Sequence, residues 1–95
     1  MTVPASLFIL SFRQRDELAA LAAGAGWQVV AARRAAGAER RFLSSGATVA
    51  VIDARGAASD GLAVTRALSD TIEANGGALL VLVSRGDIAM LGDFH

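Results

Sequence analysis

Ninety-five residues, 54% of them apolar and 19% charged, suit one small domain with a packed core rather than a disordered chain. The nine basic residues are all arginine, nine acids balance them, and the doublets Arg33-Arg34 and Arg40-Arg41 make no long basic stripe, so direct nucleic-acid binding is not expected. Cysteine is absent and the lone histidine is His95, which excludes a disulfide framework, a thiolate nucleophile and a cysteine zinc site.

No charged n-region precedes the apolar residues 7–10, and no apolar stretch approaches the roughly 18 residues of a membrane span, so a cytoplasmic protein without membrane contact is expected. Residues 6–12 form a short, nearly continuous apolar run of the kind found in strands covered on both faces. After the polar residues 13–16, Leu18, Ala19, Leu21, Ala22 and Ala25 recur at helical spacing until Gly24 and Gly26 end the pattern. Residues 27–32, with a β-branched centre, read as a second strand, and residues 37–43 as a short helix stopped by Ser44, Ser45 and Gly46.

The third apolar run, 47–53, ends on Asp53. A loop over 55–59 leads into a helix over 61–74, with Leu62, Val64, Ala67, Leu68 and Ile72 on one face, closed by Asn75, Gly76 and Gly77. Residues 78–83 are the fourth strand, and 84–87 lead toward a further helix at 88–91. Strands alternating with helices of this length imply crossover connections and a parallel sheet with helices on both faces. The expected fold is therefore a doubly wound α/β domain, one unit over residues 1–95, without internal repeats or a linker.

An isolated carboxylate at the C-terminal end of a buried strand lies where open α/β sheets place their chemistry, which singles out Asp53. Asp53 at the end of the third strand, Asp60-Gly61 eight positions later and Ser84 after the fourth strand stand in one register. Gly26 before the second strand and Gly37-Ala38-Glu39 opening the second helix fit the same frame. Over essentially the whole chain this spacing resembles the receiver domain of response regulators, a flavodoxin-like fold. The resemblance implies the strand order 2-1-3-4, with Asp53 as phosphoacceptor or its vestige and Ser84 as switch hydroxyl.

The departures from that pattern bear on function. The family carries two acids at the end of its first strand, which hold magnesium with the acceptor aspartate; here the place reads Ser11-Phe12-Arg13. Magnesium takes oxygen ligands, mostly carboxylates and water, and offsets the charge that builds in phosphoryl transfer. Asp16 and Glu17 fall past the strand end, where acids suit the first turn of a helix. The family also uses a lysine after a fifth strand, whereas this chain has no lysine and stops before one. The expectation is an incomplete, degenerate receiver-like domain with no cofactor and no metal, in which Arg13 or Arg55 pairs with Asp53 in place of the metal. The alternative to a phosphoacceptor or its vestige is a solvated strand-end carboxylate hydrogen-bonded to loop amides at Asp53, and the alternative to a switch hydroxyl at Ser84 is a cap of the following turn.

Trp27 and Phe42 read as packing residues, and Gly61 as backbone geometry at a helix start. No dinucleotide-binding, P-loop or nucleophile-elbow motif is present, and no histidine is placed as a base, so enzymatic activity is not expected.

The resemblance implies a regulatory module of a bacterial two-component or cyclic-di-GMP signalling protein that works by protein contact and dimerisation. Its implied partners are an output domain in the same protein (GGDEF/EAL or DNA-binding), a second copy of itself and a histidine kinase. Residues 49–53, 60–62 and 76–81 also loosely resemble a STAS-type anti-sigma-factor-antagonist domain, which opens with antiparallel strands and expects serine or threonine where Gly61 stands. A small nucleotide- or ligand-binding α/β domain is the remaining alternative.

Overall fold

The computed structural model describes residues 5–87. Along the chain come β1 (Ser6–Ser11), α1 (Arg15–Gly24), β2 (Gln28–Ala32), α2 (Ala38–Ser45), β3 (Val49–Asp53), α3 (Ala58–Ala74) and β4 (Ala78–Leu82). The four strands make one open parallel sheet in the order β2-β1-β3-β4, an α/β architecture compatible with a flavodoxin-like fold. Each helix supplies the long connection that parallel neighbours require. The helix expected at 88–91 lies outside the described residues. No described helix is long and apolar enough to cross a membrane.

Alternation along the strands sorts side chains to two faces. Phe8, Leu10, Ala50 and Ile52 join Phe42 of α2 and Val64, Leu68 and Ile72 of α3 in the main core. Phe8 and Phe42 meet edge to face at 5.8 Å and 82°, a favoured aromatic geometry.

On the opposite face, α1 packs against β1 and β2. Its half-buried residues are Arg15, Leu18, Ala19 and Ala22, and Leu21, which the apolar spacing had placed with them, is 71% exposed. At 100° per residue, Leu21 falls outside the arc that those four share. Farther along the same sheet face, Leu80 of β4 stands 57% exposed, beside Val51 in the register of β3 and β4.

Two loop features fix the sheet's C-terminal rim. Gly61 lies inside α3, three residues past its start, so it does not open the helix as its spacing implied. A Cβ there would come within 2.4 Å of the Ala54 Cβ and 2.8 Å of its Cα, so glycine lets α3 press directly on the residue after Asp53. Gly56, at φ +75°, turns the β3–α3 loop in a conformation that favours glycine.

Candidate functional site

Parallel pairing of β1 with β3 sets Ser11 directly opposite Asp53. Both are buried, Asp53 at 2% exposure, in a position where an unpaired carboxylate would be strongly disfavoured. The Ser11 hydroxyl donates to Asp53 Oδ2 at 2.9 Å. Arg55 donates to the same carboxylate three times, from its backbone N–H to Oδ1 at 3.2 Å, from Nε to Oδ1 at 2.8 Å and from Nη2 to Oδ2 at 3.2 Å. This is the bidentate fork that suits a guanidinium to a carboxylate.

Gln14 closes the arrangement. Arg55 Nη2 donates to Gln14 Oε1 at 2.7 Å, and the Gln14 backbone N–H donates to Ser11 Oγ at 2.9 Å. Four side chains thus tie the β1–α1 loop to the β3–α3 loop, and every buried side-chain nitrogen or oxygen among the described residues has a partner. Gln14 was not marked by any motif. Its role follows only from where the β1–α1 loop runs.

Electrostatics follow from this geometry. Burial pushes the Asp53 carboxyl up, but the hydrogen bonds from Arg55 and Ser11, together with the guanidinium charge, outweigh it and hold the group below the ordinary carboxylate value. The hydrogen bond to Asp53 and its negative charge push Arg55 up in turn.

The other candidate residues lie elsewhere on the rim. Arg13 makes no ion pair with Asp53; its side chain lies across Gly56, with Cδ and Nε 3.3 Å from where a Cβ at that position would sit. Ser84 stands two residues past Leu82, the register partner of Asp53, and its backbone carbonyl accepts from the Asp87 N–H at 2.9 Å. Among the described residues no hydrogen bond joins the Ser84 hydroxyl to Asp53. Asp16, in the first turn of α1, is held by Arg15 at 2.8 Å and Arg33 at 3.3 Å and is 74% exposed, apart from the Asp53 site.

The donor set does not suit a divalent magnesium ion. Such an ion needs several oxygen ligands, usually more than one carboxylate. Here the Asp53 carboxylate, already taken by Arg55 and Ser11, faces a hydroxyl, and a guanidinium stands where cationic charge would be wanted. Among the described residues no three Asp, Glu, His or Cys side chains converge. Comparison with protein-family models, curated proteins and solved structures gives no match.

Proposed function

We propose that this chain is a receiver-like regulatory module in which the phosphoacceptor position has become a fixed structural contact. It works through protein contacts, including association with a second copy, rather than through a magnesium-dependent phosphoryl cycle or catalysis. The carrying observation is the closure of Asp53, at the C-terminal rim of a 2-1-3-4 parallel sheet, by the Arg55 fork and the Ser11 hydroxyl.

A working acceptor needs a free carboxylate oxygen to attack phosphorus and a metal to offset the charge that develops. Arg55 holds both oxygens of Asp53, and its own charge lowers their basicity. The all-parallel sheet, with α1 between β1 and β2, favours this reading over a STAS-type domain, whose opening strands pair antiparallel. Its partner in the same polypeptide is an output domain of the GGDEF/EAL or DNA-binding class, to which it transmits its state of association.

Incubation with acetyl phosphate and magnesium, followed by intact mass measurement, tests the reading. No phosphoryl adduct is expected. Stoichiometric modification that disappears in Asp53→Asn would overturn it.

A further inference from the structure

α2 and α3 lie side by side over the sheet, and an open groove of about 800 Å3 runs along them. Its floor is formed by buried Val64 and Leu68 of α3 with Ala38 of α2. Its α3 wall is the exposed pair Ala63 and Ala67, one turn apart on the same helix face. On the α2 side stands Leu43, a large apolar side chain left 54% exposed. One groove therefore carries both a projecting apolar side chain and a shallow wall of small residues able to receive one.

Of the exposed charges on these two helices, Glu39 and Arg40 line the groove, and Asp60 and Asp70 stand one turn before Ala63 and one turn after Ala67 on the α3 face. α2 presents Arg40 and Arg41, which have no ion-pair partner among the described residues, while its Glu39 accepts from the Thr71 hydroxyl of α3 at 2.9 Å. α3 presents Asp60, Asp70 and Glu73, likewise without ion-pair partners among the described residues, alongside Arg66. A surface with a knob and a hole, and with a basic and an acidic side, is complementary to itself. Two-fold symmetry uses such a patch twice, since the contact that one copy makes the other returns.

We propose that two copies of this chain associate through the α2–α3 groove, Leu43 of each seated against Ala63 and Ala67 of the other, with Arg40 facing Asp60 and Asp70 of the partner's α3. The proposal rests on the self-association put forward above and names its surface. Zero formal net charge leaves no overall repulsion between copies. The opposed helix charges select the two-fold arrangement that sets α2 of one copy against α3 of the other over the one that sets α2 against α2, like against like.

Sedimentation equilibrium of the chain and its variants tests this. Wild type is expected to dimerise at submillimolar concentration, with Leu43→Glu weakening the dimer at least about tenfold while circular dichroism stays unchanged. Arg40→Glu is expected to weaken it too, and mixing that variant with Asp60→Arg/Asp70→Arg to restore a heterodimer. A dimer unaffected by Leu43→Glu and by the charge reversal, or one broken by Leu80→Arg instead, would overturn the groove and leave self-association standing. A monomer at every concentration would overturn both.

Discussion

Arg55 grips the carboxylate of Asp53, two residues before it, with Nε on Oδ1 at 2.8 Å and Nη2 on Oδ2 at 3.2 Å. The short separation is what makes the fork stable. The Arg55 backbone N–H bonds the same carboxylate at 3.2 Å, so the turn that follows β3 already points the side chain back toward the strand end. The positive charge is thereby built into the loop, and the rim of the sheet is closed by a contact within the chain.

Acid sensitivity should carry the mark of this pair. Because Asp53 is held below its ordinary value when folded, the stability it contributes is present above about pH 4, the unfolded value, and is lost as the pH falls through the lower folded value. Urea midpoints measured at descending pH should therefore fall more steeply for wild type than for Asp53→Asn. In Arg55→Met the guanidinium hydrogen bonds and charge are lost while burial, the Ser11 hydroxyl and the backbone N–H of residue 55 remain, so the fall in stability on acidification should be shallower than in wild type.

Ser11 should matter as much as a charged partner. Its hydroxyl, fully buried, donates to Asp53 and accepts from the Gln14 N–H, and Ser11→Ala strips one partner from each. A loss of about 1–3 kcal/mol is expected in urea denaturation, since two polar groups are left short of a hydrogen bond. Ser11→Thr keeps the hydroxyl and should recover part of that loss.

The close approach of α3 to Ala54 gives a third expectation. Gly61→Ala places its new methyl on the Ala54 Cβ and Cα, where backbone has to move. A loss of about 1–3 kcal/mol follows from overpacking of this kind. Gly86→Ala, where a Cβ meets nothing within 4 Å and φ is not positive, should be close to neutral and serves as the control.

Much of the fold was legible because each strand is a short apolar run closed by arginine, aspartate or serine, and α1 and α3 carry apolar residues at helical spacing. The parallel sense follows from that alternation, the strand order 2-1-3-4 was implied by the family resemblance, and both are found in the structure. Boundaries were less visible. β3 begins at Val49 rather than at residue 47, since Ala47 is buried without pairing in the ladder, and α3 begins at Ala58 because Gly61 serves helix packing rather than helix initiation. Leu21 matched the helical period but lies off the inward arc of α1.

At the site, Asp53 stood out from its position alone, but nothing in the spacing separated Arg13 from Arg55. The path of the loops does so: Arg13 runs over Gly56, while the turn after Asp53 aims Arg55 at the carboxylate. Gln14 was invisible, since a glutamine after a strand carries no signal until its neighbours are known.

Magnesium titration followed by amide chemical shifts tests most directly whether Arg55 has taken the metal's place beside Asp53. The expected result is that the amides of Ser11, Asp53, Ala54 and Arg55 stay unmoved at millimolar magnesium. Saturable shifts at those amides, abolished in Asp53→Asn, would contradict it.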